Sequence, residues 1–222
     1  TNLRYLDWIA SRRAYVEKAS GGRIGYIHIP DTAIDGNREL HKGFYSQVHK
    51  EALIFDDRYN GGGFIPDTMI QLLERPILSY WSQRGMEPFQ TQQYAHEGPR
   101  ACLINGYSSS GGDAFPFYFR QRKLGKIFGT RTWGGLIGLQ GNPSFVDGGS
   151  LSIPRFRFFN KAGQWDVENM GVAPDVEVID RPELVAAGQD PSLEAAVAHL
   201  LKELQANPPK TPPIPTPPNE NQ

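Results

Sequence analysis

The sequence predicts a single α/β core domain, a parallel sheet with crossover helices, and three observations carry that expectation. Short apolar runs alternate with helical patterns along most of the chain. Two of those runs, residues 52–56 and 101–104, pass straight into turns of small residues. Helical periodicity resumes after each turn, as it does when strands are joined by crossovers rather than hairpins.

Taken in order, Leu3, Leu6, Trp8 and Ile9, then Tyr15 and Val16, mark an amphipathic helix ending near Gly21 and Gly22. Residues 23–29 alternate like a strand, and Pro30-Asp31 closes it. Leu40, Phe44, Tyr45 and Val48 have helical spacing, which predicts a helix over about 37–50. The apolar strand 52–56 ends in Asp57-Arg58-Tyr59-Asn60-Gly61-Gly62-Gly63, and a helix follows over about 65–73, stopping before Pro76. Strands are expected at 77–81 and 89–94, around a loop at Gly85. The strand at 101–104 leads into Tyr107-Ser108-Ser109-Ser110-Gly111-Gly112-Asp113 and then a helix. Further strands are expected at 126–129, 151–159 and 176–179. Ser192 is placed as the cap of a helix over about 193–205, with Leu193, Val197, Leu200, Leu201 and Leu204 on its apolar face. From Pro208 the chain is Pro-rich without apolar periodicity, so the expected division is a core over 1–205 and a disordered or extended tail over 206–222.

Bulk properties narrow the function. At 222 residues and 39% hydrophobic content the chain can bury a full core. A net charge of −1 gives no electrostatic case for nucleic acid or an anionic membrane as partner. Cys102 is the single cysteine and reads as a small core residue. No apolar run approaches membrane-spanning length, and no signal peptide opens the chain. Thr1 stands where an initiator Met would, so the expectation is an excised piece of a longer protein. No His, Cys, Asp and Glu group has metal-ligand spacing, and neither metal nor cofactor is expected.

The two small-residue turns carry the chemistry. In such a sheet, strand ends and helix starts line one crevice. A serine hydroxyl there lies beside the free N–H groups of a helix's first turn, where a negative charge forming on an attacked carbonyl can be held. Backbone N–H groups of Gly63 and Gly111 around Ser110 would make such an oxyanion hole. Alone, the stretch reads more simply as a serine capping a helix. Phosphate binding is the weaker alternative, because the glycine turn lacks the Gly-Lys-Ser/Thr ending of a phosphate loop. A serine nucleophile also needs a base and a group that orients it. Glu168 is a candidate carboxylate, although locally it reads as a solvated loop acid. None of the histidines, His28, His41, His49, His96 and His199, has a context that nominates it as the base. His28 lies within a strand and reads as a hydrogen-bonded structural group.

Several stretches, in order, resemble the tricorn-like serine peptidases, relatives of the C-terminal processing peptidases. They are residues 25–31 (Gly-Tyr-Ile-His-Ile-Pro-Asp), 57–64 (Asp-Arg-Tyr-Asn-Gly-Gly-Gly-Phe), 105–115, 129–135 (Gly-Thr-Arg-Thr-Trp-Gly-Gly) and 167–176 (Val-Glu-Asn-Met-Gly-Val-Ala-Pro-Asp-Val). The resemblance implies a crotonase/ClpP-like fold and a serine endopeptidase core acting on peptides. It implies Ser110 as nucleophile, with Ser108 and Ser109 as part of the turn. The Gly63 and Gly111 N–H groups would be the oxyanion donors, and Gly62, Trp133 and Gly134 would contact substrate. Glu168 would orient the catalytic histidine through a neighbouring polar group.

Departures from the family pattern matter equally. Gly111 stands where the family has Asp; a backbone group is used there, so the change is expected to be tolerated. Gly135 occupies the position of the processing peptidases' catalytic lysine, which excludes a serine/lysine dyad. In tricorn-like enzymes the base is a histidine in a helical subdomain upstream of a PDZ-like module, so it is expected outside this chain. That upstream part of the same protein, and further copies in a homo-oligomer, are the partners the resemblance implies. Residues 78–83 lack the acid that favours basic side chains before the cut, leaving an apolar or broad pocket equally open. The expected compartment is the cytoplasm, with an exported parent left open. A module that binds peptide or assembles without chemistry is the main alternative, and a crotonase-like acyl-CoA enzyme ranks last.

Overall fold

The computed structural model describes residues 2–139 and 143–216. Helix α1 (Asn2–Ala19) leads into β1 (Ile24–His28), α2 (Ile34–Gln47), β2 (Ala52–Asp56) and α3 (Pro66–Leu73). A small pair, β3 (Ser79–Trp81) and β4 (Phe89–Thr91), precedes β5 (Arg100–Ile104), α4 (Gly111–Gln121) and β6 (Lys126–Gly129). A second pair, β7 (Gly138–Leu139) and β8 (Pro154–Phe156), is followed by β9 (Val176–Glu177), α5 (Pro182–Ala186) and α6 (Pro191–Ala206). The main sheet has the order β1-β2-β5-β6-β9 and every pairing in it is parallel.

Burial explains why these strands read as continuous apolar runs. All residues of β1, β2 and β5 are buried, as in a parallel sheet covered on both faces. One face packs Leu53, Phe55 and Cys102 against Leu40 and Phe44 of α2, Met69 of α3, and Phe115 and Phe119 of α4. The other packs Tyr26, Ile54 and Leu103 against Val16 of α1 and Leu193, Val197, Leu200 and Leu204 of α6. Each large apolar side chain so buried contributes about 1.5–3 kcal/mol. The apparent alternation of 23–29 thus resolves into β1, buried at every residue from Ile24 to His28.

A buried ion cluster fixes the turn after β2. Arg58 is 3% exposed; its Nη2 donates to Asp56 Oδ2 at 2.6 Å and its Nη1 to Asp190 Oδ1 at 2.6 Å. Nη1 also reaches Asp180 Oδ2 at 3.2 Å, and the guanidinium lies over the Trp8 ring at 5.4 Å. Burial alone would raise the Asp56 pKa, but the charge and hydrogen bonds of Arg58 outweigh it and hold that carboxyl below its ordinary value. Asp190 also accepts the Leu193 N–H, so it, and not Ser192, caps α6. Ser192 lies two residues later and donates to Asp180 Oδ2 at 2.7 Å.

Other boundaries moved. The helix expected over 37–50 begins at Ile34 and ends at Gln47. The strands expected at 77–81 and 89–94 shorten to the antiparallel β3–β4 pair, outside the main sheet. Of 151–159 only β8 is a strand, paired with the unanticipated β7. Leu3 and Leu6 of α1 are exposed, so the apolar stripe read there is only partly covered. From Asn207 to residue 216 there is no helix or strand, and residues 217–222 of the expected tail lie outside the described residues.

Candidate active site

Neighbouring parallel strands β2 and β5 end side by side, and both following turns run toward helices on the same face. Residues 57–63 and 105–110 therefore share one crevice at the strands' C-terminal ends. Asn60 stitches them together. Its side-chain Nδ2 donates to Asp57 Oδ1 at 2.8 Å and its Oδ1 accepts the Gly62 N–H at 2.8 Å. Its carbonyl accepts the Ser109 N–H at 3.0 Å.

The serines of the second turn are not equivalent. Ser108 Oγ donates to the Asp57 carbonyl at 2.8 Å, and Ser109 Oγ to the Asn60 carbonyl at 3.3 Å. Ser110 stands at the N-cap position of α4, with φ 54° and ψ −115°, yet its side chain makes no cap bond. Among the described residues its hydroxyl has no hydrogen-bond partner. A positive φ on a non-glycine residue costs about 1–3 kcal/mol, and a strained strand-to-helix turn is how a serine hydroxyl is lifted out of a sheet into a cleft.

Glycine lets the two turns meet. A Cβ on Gly62 would sit 2.7 Å from Ser110 Cβ and 3.1 Å from Gly111 N. A Cβ on Gly111 would overlap Thr32 Oγ1 and lie 2.8 Å from Gly63 N. The N–H groups of Gly63 and Gly111 are thus neighbours, and neither has an acceptor among the described residues. They flank Ser110 at the start of α4, where the helix dipole adds to the attraction for negative charge.

The remaining expected residues gather on the loop after β6. The Trp133 N–H donates to the Ser108 carbonyl at 3.0 Å, and the Gly134 N–H to Asp113 Oδ1 at 2.7 Å. Glu168 Oε2 accepts the Leu136 and Ile137 N–H groups at 2.6 and 2.7 Å. Glu168 is therefore a held carboxylate and not a freely solvated loop acid. Its neighbours Val167 (φ 68°) and Asn169 (φ 62°) both have positive φ, and for the β-branched Val167 that is an outlier a packed site must enforce. A Cβ on Gly135 would run into the Trp133 ring, so a lysine there would require that exposed ring to move.

The histidines are engaged elsewhere. His28 Nε2 and Tyr5 OH share a 2.6 Å hydrogen bond, and burial pushes the His28 pKa down. His41 and His96 bond the Asn37 and Lys50 carbonyls, and His199 pairs with Glu203. His49 shares a cleft with Glu51 and Pro99 at the start of the strands, the end opposite Ser110. Tyr80 of β3 lines that same cleft. Among the described residues no group of three or more His, Cys, Asp or Glu could hold a metal ion.

Sequence reasoning missed Asn60, Thr32 and Asp113. Asn before a glycine run is a known turn former that bonds its own backbone, which could have pointed to Asn60. An acid in the apolar start of α4 could have pointed to Asp113, whereas nothing local marks Thr32.

The family model for "Peptidase family S41" matches residues 23–178, a span that contains both turns, the 132–137 loop and Glu168. The chain belongs to peptidase family S41. It is a serine-type peptidase core. Tricorn protease homolog 1 of Streptomyces coelicolor is 41% identical over 211 residues, covering 95% of this chain and 20% of that protein. The tricorn protease of Thermoplasma acidophilum is 38% identical over 205 residues, covering 91% of this chain and 19% of that protein. A crystal structure of the tricorn protease matches with a TM-score of 0.84 at 36% identity, over 91% of this chain and 20% of that one. The S41 core described here thus spans about a fifth of the length of these relatives, as the 20% and 19% coverages state.

Proposed function

We propose that this core carries the nucleophile and oxyanion hole of a serine endopeptidase that cleaves peptides, and that its base comes from a longer parent polypeptide. Ser110 Oγ attacks the peptide carbonyl carbon while its proton passes to the base. The electron pair of the carbonyl moves onto oxygen, where the Gly63 and Gly111 N–H groups hold it. Collapse of this intermediate expels the amine, which takes the proton back from the base, and leaves an acyl group on Ser110. Water then repeats the sequence and frees the acid. Glu168, gripped through Oε2, has its second oxygen left to orient a partner of the base.

The observation that carries the reading is the unbonded Ser110 hydroxyl on a strained turn between two unbonded amides. The relatives' greater length and the engagement of the histidines elsewhere support a base supplied from another part of the parent. The exposed rings of Trp133, Tyr107 and Tyr59, the last two stacked at 5.5 Å, support apolar substrate contacts beside the crevice. Peptide hydrolysis by the full-length protein tests the assignment: Ser110→Ala is expected to abolish it, and retained hydrolysis would refute Ser110 as nucleophile.

A further inference from the structure

We propose that Asp113 is a positioning residue of this site: it ties the helix that starts at Ser110 to the 132–137 loop and, through that loop, sets the carboxylate of Glu168. The inference rests on the reading of Ser110 as nucleophile. Asp113 is the third residue of α4 and is fully buried. A buried carboxyl is costly unless its bonds repay it, so its retention in an otherwise apolar start of helix needs a physical reason. The helix dipole favours an acid in the first turn, but that attraction requires neither burial nor a partner on another loop.

Among the described residues Asp113 Oδ2 has no partner, so the reason must lie in the bond that Oδ1 makes. Asp113 Oδ1 accepts the Gly134 N–H at 2.7 Å. The Gly134 carbonyl accepts the Asn169 N–H at 2.7 Å, next to Glu168 in the chain. Two and three residues on, the Leu136 and Ile137 N–H groups grip Glu168 Oε2. Gly134 itself has φ 80°, and a Cβ there would lie 2.6 Å from Gly171 N, so the loop is pressed against the segment that carries Glu168. The loop is thereby held on one side by the Ser110 helix and on the other by the Glu168 segment. Asp113 is the side chain that makes the first of those attachments. Without it, among the described residues only the Trp133 N–H bond to the Ser108 carbonyl ties the loop to the Ser110 turn, and the amides that grip Glu168 can shift relative to Ser110.

The test is peptide hydrolysis by the full-length protein, normalised to active sites titrated with a serine-directed phosphonate. Asp113→Ala is expected to lower turnover per titrated site by about 100-fold with KM changed less than about threefold, the scale of a misplacement near 1 Å. Asp113→Asn keeps an oxygen for Gly134 and is expected to stay within about tenfold of wild type. In a Glu168→Gln background, Asp113→Ala is expected to cost less than about fivefold more, because both changes act through one group. Should Asp113→Ala not fold, Asp113→Ser takes its place in the same comparison. Wild-type turnover in the Ala variant, a folded Asn variant as slow as Ala, or an undiminished loss in the Gln background would each overturn the proposal. Activity in Ser110→Ala would instead overturn the underlying assignment, so the two failures are distinguishable.

Discussion

Arg58 and Ser110 stand just beyond the ends of neighbouring strands, and they show opposite uses of buried polar groups. Around Arg58 the groups are saturated: Asp56, Asp180, Asp190 and Ser192 all bond the guanidinium, and Tyr26 OH donates to Asp56 at 2.7 Å. Around Ser110 the groups are held ready but unspent, with two glycine amides and one hydroxyl facing no acceptor or donor among the described residues. A saturated cluster fixes geometry; an unsaturated one can bind charge that forms later. The first supports the second, because Arg58 and Asn60 belong to the same turn.

Substitutions can break that contrast, beginning with the largest expected effect. Ser110→Ala should lower peptide hydrolysis by the full-length protein at least about 1,000-fold while leaving its urea unfolding midpoint nearly unchanged. Arg58→Met should do the reverse in kind. It strands Asp56 as a buried acid with no cation, leaves Asp190 only its pair with Arg12, and should cost about 3–5 kcal/mol in urea denaturation of this core. Gly111→Ala sharpens the comparison from the crevice side. Its Cβ would force Thr32 and Gly63 away, so kcat should fall about 100- to 1,000-fold, as when one oxyanion donor is lost, with the fold retained by circular dichroism.

The smallest effect is in pH dependence, and the two regions should differ in sign. The Asp56 pKa is depressed, so its contribution to stability is full above the ordinary carboxylate range and is lost as pH falls through the lower folded value. Asp57, on the floor of the crevice, has its pKa pushed well up, first by burial and then by nearby Asp56 and Asp113. Its contribution is full below the ordinary carboxylate value and declines as pH rises toward the raised folded one. Asp57→Asn should flatten that decline in urea midpoints measured across pH without altering the acid-side loss. An unchanged profile would remove Asp57 as its source.

What was legible in the chain follows from how local each cause is. Strand β2 was read at its true bounds, because a strand buried on both faces leaves a continuous apolar run. The crevice was legible through its two glycine turns, since close backbone approach demands that residue. Asp190 as the α6 cap was not, because Ser192 is an equally good local candidate and the choice depends on Arg58, 132 positions away. Asp113 stayed hidden for the same reason: its partner, Gly134, is 21 residues on and carries no side chain to announce it. Glu168 looked solvated because the groups that hold it are backbone amides, which every sequence has.

The most direct test of the central claim is a structure of the full-length protein after reaction with a serine-directed phosphonate. The account predicts a covalent bond from Ser110 Oγ to phosphorus, with one phosphonyl oxygen about 2.7–3.1 Å from both the Gly63 and Gly111 nitrogens. Attachment to another residue, or a phosphonyl oxygen turned away from those two amides, would contradict it.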